Sequence, residues 1–329
     1  MAVIGAGAWG TTFAKVLADG GSSVAIWARR PEVAREITQS RRNTDSLPGI
    51  NLPRNLHASS RLPEVLEGAE EVYLAVPSQS LRENLRILGD LVPSEAILVS
   101  LMKGVERGSL RRMSQVIREE LHVGADRVAV ISGPNLALEI AKQQPTAAVV
   151  SSESLDTATS VAITARNEYF RSFVNTDVIG TEFGGVLKNL VAVAVGIVDG
   201  VGYGENTKAS IITRGLAEIT DFAVAYGAKP ETMAGLAGLG DLIATCESPL
   251  SRNNTAGRLL GQGYSVTEVV ERMTQTAEGI ASVAPVLELA AAKGIEMPIV
   301  QQVAAVLAGT MDPRDIAPHL TTDDLPQGE

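Results

Sequence analysis

Residues 1–28 read "MAVIGAGAWGTTFAKVLADGGSSVAIWA": a β-branched run, a glycine turn, a helical stretch and a second β-branched run. No other feature constrains the fold as strongly. Two strands joined through a helix lie parallel, and the helix must cover one face of their sheet. Gly5, Gly7 and Gly10 fall where the chain leaves the strand and enters the helix. They permit a sharp turn, bring the backbone against a pyrophosphate and let helix pack on strand, while the helix N-terminus offers partial positive charge to the phosphates. The unit reads as a dinucleotide site rather than a fortuitous glycine-rich turn.

The rhythm continues. Further β-branched runs at 71–77, 96–100, 128–131 and 146–152 alternate with helical stretches, which predicts a parallel sheet with helices on both faces. Residues 40–63, rich in Arg, Asn, Ser and Pro, read as an excursion. From about residue 178 the period becomes helical, with Ala- and Leu-rich segments near 180–199, 207–227, 231–246, 255–261, 265–273, 279–293 and 298–309. The expected architecture is α/β: an N-terminal Rossmann-type doubly wound sheet over 1–177 and an all-α C-terminal domain over 178–329. The tail "TTDDLPQGE" has nothing to bury and is expected to be mobile.

Composition narrows the partners. A chain of 329 residues is long enough for two domains, and Lys+Arg 28 against Asp+Glu 38 leaves a net charge of −10. That balance argues against nucleic acid or an anionic membrane, so an anionic ligand must be held by a few local cations. The longest apolar run, residues 190–198, is too short to span a bilayer, and no signal-peptide pattern precedes the first strand. No integral membrane segment and a cytoplasmic location are expected. The single cysteine, Cys246, excludes an internal disulfide and a thiolate metal cluster, fits a reducing compartment and reads as a small core residue. His57, His122 and His319 are scattered without ligand spacing and read as surface residues, so no metal is expected.

The second strand ends in "WARR", where NAD-preferring folds carry an acidic residue for the ribose hydroxyls. Arg29 and Arg30 stand there instead, suited to bracketing a 2′-phosphate at about 1.5–3 kcal/mol per charge-assisted contact. Facing solvent at a strand end is their other reading. NADP is expected to be preferred over NAD.

In "FGGVLKNLVAVAVGIV", residues 183–198, the helical neighbours of Lys188 are Gly184, Gly185, Val191, Ala192 and Val195. No carboxylate shares its face, and the helix is apolar all round. Lys188 must therefore meet a cavity or a distant partner. Burial disfavours the charged amine, which makes it a usable proton donor and acceptor, and such assistance is typically worth ~10²–10⁴ in rate. The alternative is a snorkelling lysine that reaches water at a domain seam.

Three further segments bear on the choice. "AGLGDLIATCESPLSRNN" gathers Asp241, Thr245, Arg252 and Asn253 in a glycine-loosened stretch, and an Arg beside an Asn suits a phosphate. Lys103 follows the run at 96–100, at the carboxyl edge of the sheet where ligands of open α/β sheets bind. Gly133, Pro134 and Asn135 stand at the next such edge, opening a helix. Each alone is compatible with a turn or a solvated charge; all fall at element ends.

These motifs together carry a resemblance. "GAGAWGT", "KG" at 103, "GPNLA", "GTEFGGVLKNLVAVAVGI", "GENTKASIITRGLAEI", "GLAGLGDLIATC", "SRN" and "AEG" at 277, in this order, resemble the bacterial NAD(P)-dependent glycerol-3-phosphate dehydrogenases from residue 2 to about 310. The resemblance implies reversible reduction of dihydroxyacetone phosphate to sn-glycerol 3-phosphate for phospholipid synthesis. It implies that Lys188 donates and accepts the proton, with Lys103, Gly133 and Asn135 near the substrate. Asp241 and Thr245 would position Lys188 and the substrate, and Arg252 and Asn253 would hold its phosphate. Ala8, Trp9, Arg29, Ala137, Thr276 and Glu278 match cofactor-contact positions, with Lys103 and Arg252 able to touch both ligands. The family usually has Ser or Thr at Asn135 and often a basic residue at Asn254. A homodimer is expected from the apolar helices of the second half.

Two other readings compete: a Rossmann dehydrogenase of another small hydroxy acid, and a non-catalytic NAD(P)-binding redox sensor. The acidic balance and the lack of a basic helix weigh against the sensor.

Overall fold

The computed structural model describes residues 1–273 and 277–316, and the chain divides into two compact units, Met1–Glu182 and Phe183–Glu329. The expected mobile tail, His319 and Thr276 lie outside the described residues.

In the first unit, eight strands form one sheet in the order β3-β2-β1-β4-β5-β6-β7-β8. They are β1 (Ala2–Ile4), β2 (Val24–Trp27), β3 (Leu56–Ser59), β4 (Glu71–Leu74), β5 (Ile97–Ser100), β6 (Val128–Ser132), β7 (Thr146–Ser152) and β8 (Phe170–Asn175). Between them run α1 (Ala8–Asp19), α2 (Pro31–Arg35), α3 (Leu62–Leu66), α4 (Leu81–Leu88), α5 (Met113–Leu121), α6 (Ala137–Ala141) and α7 (Leu155–Thr164). The central strands β1, β4, β5 and β6 are almost wholly buried and mostly apolar because both their faces are covered. Val3 joins Phe13, Tyr73 and Phe170 in one core, while Ile4 joins Leu74, Leu81 and Leu98 in the other. β1 pairs in parallel with β2 on one side and β4 on the other. The strand order therefore reverses at β1, which opens a crevice at its carboxyl end, where the glycine turn stands.

The sheet is parallel, as expected, except at β7, which pairs antiparallel with β6, whereas β8 pairs parallel with β7. The reason lies in the connection. Its only helix, α6, has five residues, about 8 Å of length. β7 has seven residues, about 23 Å, so the helix cannot carry the chain back along it.

Residues 40–63, read as an excursion, also hold β3 and the start of α3. β3 escaped notice because Leu56 alone of its four residues is buried. β8 is likewise an edge strand with only Phe170 buried, so neither offers a repeating apolar signal.

The second half is helical, as expected. It comprises α8 (Val178–Val201), α9 (Glu205–Ala225), α10 (Pro230–Met233), α11 (Asp241–Glu247), α12 (Arg252–Gly261), α13 (Val266–Arg272), α14 (Glu278–Lys293) and α15 (Pro298–Leu307). The segment near 231–246 is not one helix. A π turn, Leu236–Gly240, separates α10 from α11, and a Cβ added to Gly238 would lie 2.0 Å from the Met233 carbonyl oxygen. The chain folds back on itself there, and only glycine fits.

α8 is long and apolar enough to cross a membrane by length and composition, beyond the nine-residue run noted above, but 83% of its apolar window is buried in the protein. Its contact with α12 is backbone on backbone. A Cβ on Gly196 would lie 2.2 Å from the Asn254 carbonyl oxygen, and one on Gly257 would lie 2.1 Å from that of Val193.

Candidate active site

The glycine turn is shaped for a ligand. Gly5 has φ +116°, and a Cβ there would lie 2.5 Å from the Ala75 carbonyl oxygen. A Cβ on Gly10 would lie 1.9 Å from the Gly5 carbonyl oxygen, but one on Gly7 would meet nothing within 4 Å. The outer glycines thus close the turn against strand and helix, while the middle one faces open space. α1 follows, twelve residues long, with no side chain capping its N-terminus and no acidic residue in its first turn. Its first amides are accordingly suited to a pyrophosphate, and the residues present fit a dinucleotide.

In the first unit the residues matched to cofactor contacts are Ala8, Trp9, Arg29 and Ala137. Ala8 opens α1. Trp9 Nε1 donates to the Leu101 carbonyl at 3.1 Å, and Thr12 Oγ1 donates to that of Ala137 at 3.2 Å, which ties α1 to the end of β5 and the start of α6. Arg29 and Arg30 are exposed at the end of β2. The stretch itself offers Arg30 no acid, yet the fold returns Asp45 to 3.1 Å from its Nη2, with Glu32 3.9 Å from its Nε. Exposed pairs of this kind are weak and leave Arg30 within reach of a ligand.

At the carboxyl ends of β5 and β6, Lys103 Nζ donates to the Gly133 carbonyl at 3.1 Å. Gly133 has φ +136°, which admits glycine and little else. Beside it, both amide atoms of Asn135 and the hydroxyl of Ser132 are buried without a protein partner. Such orphaned groups cost about 1–3 kcal/mol each, and their clustering here suits a polar ligand that satisfies them.

In the second unit Lys188 is only 6% exposed. Its Nζ donates to Asp241 Oδ1 at 2.7 Å and to Thr245 Oγ1, and Thr245 Oγ1 in turn reaches Asp241 Oδ1 at 3.4 Å. The distant partner required by the apolar helix is thus a carboxylate 53 residues further on, and the snorkelling alternative falls away. Burial alone argued for a lysine drawn towards neutrality; a carboxylate this close works in the opposite direction. Asp241 opens α11 immediately after the π turn, where a helix N-terminus favours negative charge.

Asn253 is a junction. Its Nδ2 donates to Asn189 Oδ1 at 2.8 Å, and its Oδ1 accepts the Gly279 N–H at 2.9 Å, which joins α12 to α8 and α14. Ser251 caps α12 by accepting the Asn254 N–H at 3.2 Å. Arg252 is exposed in the first turn of that helix, and Glu278 is half-buried at the start of α14. Asn189, the other polar residue of the run that holds Lys188, is not among the candidates drawn from the sequence. The signal was available, since a second polar residue in a helix apolar all round needs a buried partner of its own.

Cys246 is buried, and burial pushes its thiol up to about 12, as suits an inert core residue. His57 and His122 are exposed, and among the described residues no group of His, Cys, Asp or Glu is placed to hold a metal.

Comparison with known proteins agrees with this geometry. The family model for the NAD-dependent glycerol-3-phosphate dehydrogenase N-terminus matches residues 1–158, and that for its C-terminus matches residues 177–318. A Leifsonia xyli protein named glycerol-3-phosphate dehydrogenase, NAD(P)+, is 70% identical over 327 residues, covering 99% of this chain and 89% of its own. A Thermobifida fusca protein of the same name is 49% identical over 316 residues, covering 96% and 94%. The crystal structure of glycerol-3-phosphate dehydrogenase from Coxiella burnetii superposes with a TM-score of 0.90 at 36% identity, covering 97% of each chain. The chain belongs to the NAD-dependent glycerol-3-phosphate dehydrogenase family.

Proposed function

We propose that this protein reversibly reduces dihydroxyacetone phosphate to sn-glycerol 3-phosphate with NAD(P)H, in the service of glycerophospholipid synthesis. The observation that carries the mechanism is the buried Lys188 amine held by Asp241 and Thr245. The reduced nicotinamide, when bound, supplies the hydride. As negative charge grows on the ketone oxygen, the Lys188 ammonium stabilises it and delivers a proton from Nζ. In oxidation the same amine takes that proton back. Asp241 keeps the amine cationic and fixed in place, and Thr245 orients it.

Lys103, Gly133 and Asn135 form the polar edge that receives the substrate, as the orphaned Asn135 amide suggests. Arg252 and Asn253 grip its phosphate, a planar fork of donors beside an amide. For the cofactor, Gly5, Gly7, Gly10, Ala8 and Trp9 form the pyrophosphate turn, with Lys103, Ala137, Arg252, Thr276 and Glu278 as further contacts. Arg29 and Arg30 take a 2′-phosphate, so NADP is preferred. In this reading residues 1–177 bind the nucleotide, while residues 178–329 bind substrate and catalyse. We further propose a homodimer in the cytoplasm. Light scattering in solution should then give twice the chain mass of 34.5 kDa.

The decisive test follows NADPH absorbance at 340 nm with dihydroxyacetone phosphate. Lys188→Ala is expected to lower turnover by ~10²–10⁴ while NADPH still binds. Undiminished turnover would remove Lys188 from the chemistry.

A further inference from the structure

We propose that Asn43 is a positioning residue for the dinucleotide: its side-chain amide holds the glycine turn in the form that receives a pyrophosphate. The proposal rests on reading that turn as the cofactor site.

Asn43 lies between α2 and β3, in the segment whose composition suggested only an excursion, and it is 1% exposed. Its Nδ2 donates to the Ala6 carbonyl at 2.9 Å and to Thr11 Oγ1 at 2.8 Å. One amide group therefore spans Gly7, gripping the turn before it and the helix after it. Because the peptide is planar and trans, the Ala6 carbonyl and the Gly7 N–H point in opposite directions. Anchoring the carbonyl on Asn43 directs the Gly7 N–H to the far side of the turn, where a phosphate would accept it.

The remaining atom of this amide strengthens the case. Asn43 Oδ1 is buried without a partner. Flipping the amide would set that oxygen against the Ala6 carbonyl oxygen, so the orientation is fixed by the turn. Both donors of this amide are thus committed to the turn and to the helix that follows it. The surrounding segment is built to present them. Arg41 adopts a left-handed φ of 55°. The Leu52 N–H returns to the Arg41 carbonyl and the Leu47 N–H to that of Asn43, both at 2.8 Å, while Leu47, Ile50 and Leu52 are buried in the core.

A matched control exists. Asn55 Nδ2 donates to the Ala18 and Ser22 carbonyls, each at 2.7 Å, at the other end of α1. NADPH affinity, measured by fluorescence titration, is expected to fall about tenfold in Asn43→Ala and Asn43→Asp, as the loss of two hydrogen bonds implies. The KM for dihydroxyacetone phosphate and kcat at saturating NADPH should stay within about twofold, since Asn43 acts only on the turn that receives the cofactor. Asn55→Ala removes equivalent bonds and is expected to lower Tm while leaving the NADPH affinity unchanged. Should both Asn43 variants fail to fold, Thr11→Val removes one acceptor without changing shape and is expected to weaken NADPH about threefold. Equal effects of Asn43→Ala and Asn55→Ala on NADPH affinity, or no effect of Asn43→Ala or Thr11→Val, would overturn the proposal. A wild-type protein that binds no NAD(P)H would instead overturn the cofactor site itself.

Discussion

Asn253 Nδ2 lies 2.8 Å from Asn189 Oδ1, so a residue proposed to grip the substrate phosphate also cross-links the helix that carries Lys188. Its neighbour Arg252 is exposed, and truncating an exposed side chain costs the fold little. Truncating the two should therefore have different consequences. Arg252→Ala is expected to raise the KM for dihydroxyacetone phosphate by about 10–100-fold, as loss of a charge-assisted contact implies, with the melting temperature nearly unchanged. The KM for unphosphorylated dihydroxyacetone should barely move. Asn253→Ala should raise the first KM and also destabilise the fold by about 1–3 kcal/mol, because Asn189 Oδ1 and the Gly279 N–H lose their partner. Kinetics with both ketones, alongside urea unfolding, separates the two patterns.

Asp241 faces Lys188 at 2.7 Å within a buried cluster, and its charge favours the ammonium. Asp241→Asn keeps the shape and removes that charge, so the amine should lose its proton at lower pH. Ketone reduction needs the protonated form. The alkaline limb of its kcat profile is expected to move to lower pH in the variant, with kcat itself falling. A profile of reduced height and unchanged position would mean that Asp241 only holds the lysine in place.

What could be read in the chain follows the range of each signal. The glycine turn and the buried Lys188 are local facts: a strand, three glycines and a helix lie within twenty residues, and one cation stands in an apolar helix. β3 and β8 left no such trace, since edge strands with one buried residue have no alternation to detect. The reversal of β7 was hidden because direction depends on how the connection travels in space. Asp241 stood out as a candidate, but only the family resemblance tied it to Lys188; spacing alone could not, because 53 residues separate them and tertiary packing closes the gap. Asn43 gave no signal at all. A polar residue in a polar loop becomes informative only when the loop is seen to close on the glycine turn.

The glycines of α8 and α12 allow a direct stability test. A methyl group on Gly196 or Gly257 would meet a carbonyl oxygen at 2.2 or 2.1 Å and force the helices apart. Gly196→Ala and Gly257→Ala are each expected to destabilise the fold by several kcal/mol, as overpacking against rigid backbone implies. Gly204→Ala is the control, because a Cβ there meets nothing within 4 Å. Chemical denaturation of the three variants would show whether the close approach holds this helical core together.

Cofactor choice should respond to the end of β2. Arg30 pairs with Asp45 across an exposed 3.1 Å contact that contributes little and yields readily to a phosphate. Arg29→Ala and Arg30→Ala are expected to raise the KM for NADPH about tenfold or more while leaving that for NADH within about twofold. If both cofactors weaken equally, the arginines act on the shared part of the dinucleotide and the NADP preference fails.

Glu218 in α9 predicts how stability varies with pH. Its carboxylate accepts the N–H groups of Ile299 and Val300 at 2.9 and 3.1 Å, closing the N-terminus of α15. Burial is the larger influence and pushes the carboxyl up to about 7 from its usual 4.5, although the two amide bonds pull the other way. Between those values the folded protein holds a proton that the unfolded chain has released, so stability must fall as pH rises. The full contribution is present below about pH 4.5 and is lost as pH passes 7, amounting to roughly 3 kcal/mol by linkage. Glu218→Gln cannot titrate, and its unfolding free energy should be flatter than that of the wild type across this window. Coincident slopes from pH 4.5 to 7 would show that the two backbone amides hold Glu218 ionised in the folded protein.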